Sequence, residues 1–322
     1  MSVASGPQYI AIGSDAGTPA RVRVLSATTG AVLGDFSPFG GYTGGVHVAV
    51  MDITGDGVDD IVIATAGPVG LVTAIDGRTG ASLGTLAPFG NVSSGLVLAT
   101  GDLDGDGRAD LIIGTETGGS RVTGFSGRTG ASLGTIDLFP GSTGGVRLAL
   151  GDVTGDGRTD IAIGTGPGGN GLIQVFDGAT GALLGSFFSH PGFAGEVNLA
   201  LGDLDGDGRA EVITAAQLGA SGTQVRAFTP QGRIVRSFVA PTGIGSTVGF
   251  GRTDPIAVVA NQTPPVSAAD LNGDRVAEIL LGGVPGTGGS RLLVLDGTTG
   301  AILINLFAFD PLFDLGVSVG VR

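Results

Sequence analysis

The sequence of 322 residues contains no cysteine, no lysine and no tryptophan, and it has only two tyrosines and two histidines. The absence of cysteine excludes disulfides and Cys-based metal sites. Every apolar run is interrupted by glycine or aspartate well before the ~18–20 residues that a membrane-spanning helix requires. Residues 1–8 lack the basic segment and apolar stretch of a signal peptide, so we expect none here; the chain is either a mature protein or a fragment of a larger one.

Positive charge is also scarce. The 16 basic residues are all arginine, and 29 acidic residues give a formal net charge of −13. This charge repels a phosphate backbone, and no basic stripe interleaved with aromatics offsets it, so we expect no nucleic-acid partner. Glycine is abundant at 64 residues, but 42% of the residues are apolar and the mean hydropathy is +0.40, which predicts a folded core.

A nine-residue acidic loop occurs five times in the chain. The copies begin at Asp52, Asp102, Asp152, Asp203 and Asp270, at intervals of 50, 50, 51 and 67 residues. Intervals of this length are typical of propellers and repeat arrays. Four short apolar runs accompany each loop, and the third and fourth are joined by a glycine-containing turn such as residues 177–181, which favours a hairpin. Each repeat therefore predicts a four-stranded antiparallel meander.

The sequence thus predicts an all-β fold, a six-bladed β-propeller of four-stranded antiparallel blades in one domain, 1–322. The ring is expected to close by pairing of a C-terminal strand with the N-terminal blade; the alternative is an open array. Predicted blade 1 comprises about residues 1–42 and 315–322, and blades 2–6 begin near residues 45, 95, 145, 196 and 265. An insertion at about 251–265 lengthens the last interval.

Oxygen donors at alternate positions of each acidic loop predict a calcium site, because Ca²⁺ takes six to eight oxygen ligands. Loop positions 1, 3, 5 and 9 supply side chains, and position 7 supplies its backbone carbonyl. The predicted ligands are Asp52, Thr54, Asp56, Val58 and Asp60; Asp102, Asp104, Asp106, Arg108 and Asp110; Asp152, Thr154, Asp156, Arg158 and Asp160; Asp203, Asp205, Asp207, Arg209 and Glu211; and Asp270, Asn272, Asp274, Val276 and Glu278. A solvated Asx turn is the alternative for each single loop.

The five loops are not equivalent. Thr54 and Thr154 replace a carboxylate, so their loops are expected to bind calcium less tightly than the loop at Asp102. The last loop has Arg275 where the others have glycine, which makes its occupancy the least certain. Five Ca²⁺ ions would add ten positive charges and bring the net charge from −13 to −3. Oxygen-only donor sets are poor sites for zinc and copper. An EF-hand is excluded because loop position 12 falls in a predicted strand.

These loops, together with Ser-Pro-Phe-Gly at 37–40 and Ala-Pro-Phe-Gly at 87–90, resemble the FG-GAP or VCBS repeats of integrin α-subunit propellers and their bacterial relatives. The resemblance covers essentially the whole chain and is nearest to the bacterial members. It implies calcium between the first and second strands of a blade and an extracellular, cell-surface or periplasmic location. Family propellers commonly have seven blades, whereas six are predicted here, and the integrin partner is not carried over.

Three classes of function are consistent with these features. We expect a monomeric, non-catalytic binding, interaction or surface module in which calcium is mainly structural and an unknown protein or glycan binds the face opposite the calcium loops. A calcium-dependent lectin and a polysaccharide lyase or hydrolase are the alternatives. Tyr42, Glu116 and His190 are candidate partner residues on that opposite face. His47 and Glu196 complete the few candidates for acid–base chemistry outside the loops, and we assign none of them a catalytic role.

Overall fold

A computed structural model describes residues 9–14, 16–17, 19–26, 29, 31–166, 168–193, 197–217, 223–239, 266–269, 277–282, 291–296, 299, 301–307 and 317–320. Their regular secondary structure consists of strands. In chain order these are β1 Tyr9–Ser14, β2 Val22–Ser26, β3 Val32–Phe36, β4 Val46–Met51, β5 Asp60–Thr65, β6 Val72–Ile75, β7 Ser82–Leu86, β8 Leu96–Gly101, β9 Asp110–Thr115, β10 Arg121–Phe125, β11 Ser132–Asp137, β12 Val146–Gly151, β13 Asp160–Thr165, β14 Leu172–Phe176, β15 Leu183–Phe188, β16 Val197–Gly202, β17 Glu211–Gln217, β18 Thr223–Phe228, β19 Ile234–Val239, β20 Val266–Ala269, β21 Glu278–Gly282, β22 Arg291–Leu295, β23 Ile302–Phe307 and β24 Val317–Gly320.

Antiparallel pairing organises these strands into four-stranded sheets. Four consecutive meanders, β4–β7, β8–β11, β12–β15 and β16–β19, form blades 2 to 5. Blade 1 contains β1–β3, and the backbone of β24 pairs with β1 so that Ala11 lies opposite Gly320. The strands β20–β23 form a sixth sheet. The all-β class and the four-stranded meander agree with the sequence prediction.

The prediction of a closed six-bladed ring requires correction. Side-chain packing is described for five blades. In blade 1 it is described for three strands, β1–β3. For β24 and most of β20–β23 only the backbone is described, so the described side chains close no ring. The irregular last repeat accounts for the difference, because its 67-residue interval includes residues 240–265, with the predicted insertion at 251–265, outside the described residues. The molecule is therefore a propeller of five described blades, without an established closure.

Burial decreases from the first strand of each blade to the last. In blade 2 every residue of β4 and β5 is buried, whereas every residue of β7 is exposed. The inner strands are continuous apolar runs because both of their faces pack against neighbouring blades. The acidic loops connect these buried first and second strands, so each loop is held at both ends by the core. The described part of the chain contains no helix with the length and hydrophobicity of a membrane span.

Candidate functional site

The first aspartate of each described acidic loop folds the loop around its own carboxylate. In loop 102–110, Asp102 Oδ1 accepts hydrogen bonds from the amides of Gly105 (2.8 Å) and Asp106 (3.0 Å), and Oδ2 accepts one from Gly107 (2.8 Å). The two glycines have φ values of 75° and 86°, which L side chains rarely adopt. Asp52, Asp152 and Asp203 accept the equivalent glycine amides in their loops. The Asp-Gly alternation thus determines the loop conformation.

The carboxylate at loop position 9 joins the loop to the hairpin between the third and fourth strands. Asp110 is fully buried; its Oδ2 accepts the amides of Leu103 (2.8 Å) and Asp104 (3.2 Å), and its Oδ1 accepts the amide of Gly127 (3.0 Å). Asp60 and Asp160 make the same contacts in blades 2 and 4. Position 9 was predicted only as a ligand; the structure gives it a further role as a clamp between two turns.

Two loops bring three carboxylates close enough to share a cation. Oxygens of Asp102, Asp104 and Asp106 lie within 4.8 Å of one another, as do oxygens of Asp203, Asp205 and Glu211. Burial, together with the charges of Asp110 and Asp106, raises the pKa of Asp104.

The carboxyl group of Glu211 is the most strongly perturbed member of these two clusters. Burial raises its pKa to about 7, and the neighbouring charges of Asp205, Asp203 and Asp207 act in the same direction. Its one described hydrogen bond, from the Leu204 amide (2.8 Å), opposes that shift. A cation would remove the repulsion, and hard carboxylate oxygens suit Ca²⁺.

The loops that contain threonine are arranged differently. The hydroxyl of Thr154 lies 3.3 Å from Asp152 Oδ1, and that of Thr54 lies 3.5 Å from Asp52 Oδ1. Within the described part of the chain, neither loop forms a cluster of three acidic side chains like those above. The sequence-based expectation that these loops hold calcium less tightly stays a prediction. In the last loop, residues 270–276 lie outside the described residues, and Glu278 is described only by its backbone in β21.

Arginines at loop position 7 extend to the preceding loop, a contact that the sequence analysis did not predict. A Cβ placed on Gly55 would collide with the guanidinium of Arg108, and one placed on Gly155 would lie 2.8 Å from Nε of Arg209. Arg158 lies similarly over Gly105, at 3.5 Å. The signal available in the sequence was the arginine at position 7 of the second, third and fourth loops; the first and fifth loops have valine there.

A second group of arginines extends from the hairpins to the central aspartates. Nε of Arg78 donates to Asp56 Oδ2 and its Nη2 donates to the Asp56 carbonyl (2.8 Å). Nε of Arg128 donates to Asp106 Oδ2 (2.6 Å). These hydrogen bonds are the largest cause of the lowered pKa values of Asp56 and Asp106. They place the acidic loops and the hairpins of blades 2 and 3 on one face.

The opposite face contains a buried network built from three residues that the sequence analysis had considered separately. His47 Nε2 lies 3.5 Å from Glu116 Oε1, and the Gly67 amide donates to Glu116 Oε2 (3.1 Å). The Tyr42 hydroxyl donates to the Ala66 carbonyl. Burial raises the pKa of Tyr42, and the Glu116 charge adds to that shift.

Charge within this network determines the ionisation of its carboxylate. Burial alone would raise the pKa of Glu116, but the adjacent His47, the charge of Arg147 and the Gly67 amide lower it to about 2. Arg147 is itself 3% exposed on β12. Glu116 therefore belongs to a buried polar network between blades rather than to an open surface.

His190 lies apart from that network, after β15 in blade 4. It is 2% exposed, and its Nδ1 lies 3.2 Å from Ser189 Oγ. Burial, reinforced by the charge of Arg226, lowers its pKa to about 4, so the imidazole is neutral near neutral pH. Glu196 lies outside the described residues. The structure thus brings together Tyr42, His47 and Glu116 but not His190.

Sequence comparison identifies the repeat. The family described as FG-GAP-like repeat matches residues 52–113, 102–163 and 152–214, and the FG-GAP repeat family matches residues 197–234. These matches together extend over more than half of the chain and confirm the resemblance stated above. No curated protein sequence matches the chain.

Structural comparison supports the fold. A protein of unknown function from Bacteroides caccae is similar with a TM-score of 0.61 and 15% identity, over 98% of this chain and 99% of that one. A rhamnogalacturonan lyase of Bacillus licheniformis gives a TM-score of 0.47 and 17% identity, over 97% of this chain and 68% of that one. At 15% identity the likeness to the Bacteroides caccae protein concerns the fold alone.

Proposed function

Because the chain belongs to the FG-GAP repeat family, we propose that it is a calcium-binding propeller that acts as a non-catalytic binding or interaction module. The observation that carries this proposal is the pair of carboxylate clusters, Asp102, Asp104 and Asp106 in blade 3 and Asp203, Asp205 and Glu211 in blade 5. In each cluster the backbone hydrogen bonds of the loop hold like charges close together. An ion with several oxygen ligands offsets that repulsion.

Calcium fits these residues better than other metals. The donors are carboxylate oxygens and backbone carbonyls, which hard cations prefer, and neither sulfur nor imidazole is among the predicted ligands. Dense carboxylate ligation favours Ca²⁺ over Mg²⁺, which keeps more of its water. Carboxylate oxygens of Asp203, Asp205 and Glu211 would hold the ion in blade 5. When bound, calcium supplies positive charge that links the ends of the first two strands of a blade.

The main effect of calcium is proposed to be structural. At a free calcium concentration ten times the dissociation constant, one site stabilises the folded chain by about 1.4 kcal/mol. Two sites would contribute about 3 kcal/mol, a sizeable part of the ~5–15 kcal/mol that stabilises an ordinary domain. The loops connect the most buried strands, so this stabilisation acts on the core.

The remaining acid–base candidates support a non-catalytic role. His47 and Glu116 are buried against each other, and Glu116 is ionised by charges within the fold. His190 is buried and neutral. We propose that an unknown protein or glycan binds the face opposite the calcium loops, that nucleic acid is not a partner, and that the chain is a monomer at an extracellular, cell-surface or periplasmic location, as is typical of FG-GAP repeats.

The test is a thermal melt of the chelator-stripped chain with and without millimolar Ca²⁺, paired with calorimetric titration. We expect a Tm increase of several degrees with Ca²⁺, a smaller one with Mg²⁺, and at least two bound Ca²⁺ ions per chain. The double variant Asp203→Asn, Asp205→Asn should lose one calorimetric site, whereas Asp35→Asn, in blade 1 away from the loops, should lose none. A wild-type chain that binds no Ca²⁺ and shows no change in Tm would refute the proposal.

A further inference from the structure

The acidic loops differ in whether the hairpin of their own blade supplies a positive charge. In blades 2 and 3 the hairpins contain Arg78 and Arg128, and both guanidinium groups contact the aspartate at loop position 5. The equivalent hairpin residues in blades 4 and 5 are Ala179 and Gln231. Four loops with closely similar backbones therefore divide into two with an arginine and two without.

The arginines contact Oδ2 of the position 5 aspartate, the carboxylate oxygen that accepts no described backbone amide and that a metal ion would use. Asp56 Oδ1 accepts the amide of Val58 (2.8 Å), and Arg78 takes Oδ2. Asp106 is arranged in the same way, because Oδ1 accepts the amide of Arg108 (2.9 Å) and Arg128 takes Oδ2. In blade 4, Asp156 Oδ1 also accepts the position 7 amide (2.9 Å), but the methyl group of Ala179 can donate no hydrogen bond to Oδ2.

The two arginine side chains can move away from Asp56 and Asp106 at small energetic cost. Their side chains are 55% and 52% exposed, so each contact is a surface ion pair of small net free energy. Because the side chains are long and flexible, release requires no movement of the hairpin backbone. The hairpin itself is held independently, through the buried position 9 carboxylate and the Gly77 or Gly127 amide.

We propose that Arg78 and Arg128 are internal cations that compete with calcium for Asp56 and Asp106, so that calcium binding in blades 2 and 3 displaces both guanidinium groups. The inference rests on the proposed function. The inference compares loops that have the same residue at position 3. Loop 52–60 is expected to bind calcium more weakly than loop 152–160, and loop 102–110 is expected to bind it more weakly than loop 203–211. Blades 2 and 3 therefore respond at higher calcium concentrations than their counterparts.

The test titrates the full-length, chelator-stripped chain with Ca²⁺ by calorimetry. The double variant Arg78→Ala, Arg128→Ala should tighten the weaker class of sites by about two- to fivefold, the range that surface ion pairs provide. Arg21→Ala is the control for the removal of an arginine charge elsewhere on the chain. Arg21 pairs with Asp35 in blade 1, which has no acidic loop. Ala179→Arg introduces the missing contact and should weaken one site by a similar factor.

A second measurement follows the side chains directly. In the wild type, the arginine Nε–Hε NMR signals that disappear in the double variant should shift as Ca²⁺ is added. Calcium binding with unchanged affinities in both the double variant and Ala179→Arg would overturn this inference alone. Failure of the wild type to bind Ca²⁺ would overturn both it and the proposed function.

Discussion

Replacement of Asp110 by asparagine tests the clamp between the acidic loop and the hairpin. Asp110 is fully buried and accepts three backbone amides, from Leu103, Asp104 and Gly127. Asparagine keeps the shape but has one carbonyl oxygen, so its NH2 group must face at least one of these N–H donors. Hydrogen bonds to a charged acceptor contribute about 1.5–3 kcal/mol, and an unsatisfied buried donor costs about 1–3 kcal/mol. We expect the free energy of unfolding to fall by about 2–4 kcal/mol.

The assay is denaturant unfolding in excess chelator, so that metal binding does not contribute. Asp104→Asn is the matched control, because it removes the same charge from the same loop but accepts one described backbone amide, from Asp106 (3.1 Å). Burial and neighbouring charges raise the pKa of Asp104, so its neutralisation should leave the chelated protein unchanged or slightly more stable. The clamp would be refuted if Asp110→Asn cost no more than Asp104→Asn under these conditions.

Further predictions concern the contact between loops and the pH dependence of stability. Gly55→Ala should destabilise the chain by about 0.5–1 kcal/mol more than Gly57→Ala in chemical denaturation: both glycines have positive φ, but only a Cβ at Gly55 meets Arg108. An equal cost for the two variants would contradict that contact. Without calcium, stability should fall as pH rises from about 4.5 to 7. The unfolded chain loses the Glu211 proton near pH 4.5, whereas the folded chain, in which the pKa is raised to about 7, retains it over that range. Glu211→Gln should flatten this part of the pH profile, and an unchanged slope would exclude Glu211 as its source.

The local structure of the loops could be predicted from the sequence. The repeated Asp-x-Asp/Thr-Gly-Asp-Gly order places carboxylates and positive-φ glycines at fixed offsets, and short-range hydrogen bonds such as Asp102 to Gly105 follow from that order alone. The meander was also predictable, because alternating turns and apolar runs fix which strands are neighbours.

Contacts between turns were harder to predict. Whether Arg108 meets Gly55, or Arg128 meets Asp106, depends on the distance between neighbouring blades and on the direction in which a hairpin bends. The double role of Asp110 also depends on a residue 17 positions away, Gly127. Ring closure failed as a prediction because blade counting assumes equal repeats, and the 67-residue interval is not equal to the others.

The contact between position 7 of one loop and position 4 of the preceding loop is a head-to-tail interface within a single chain. Every copy carries the glycine at position 4, and the second, third and fourth copies carry the arginine that reaches back to the preceding loop. Tandem duplication of such a unit supplies the next interface without any new substitution, as in heterologous assembly of identical subunits. Val58 stands where the series begins, and the arginines at 108, 158 and 209 follow it in succession. Duplication of one of these three repeats would therefore add a blade together with its junction to the preceding loop.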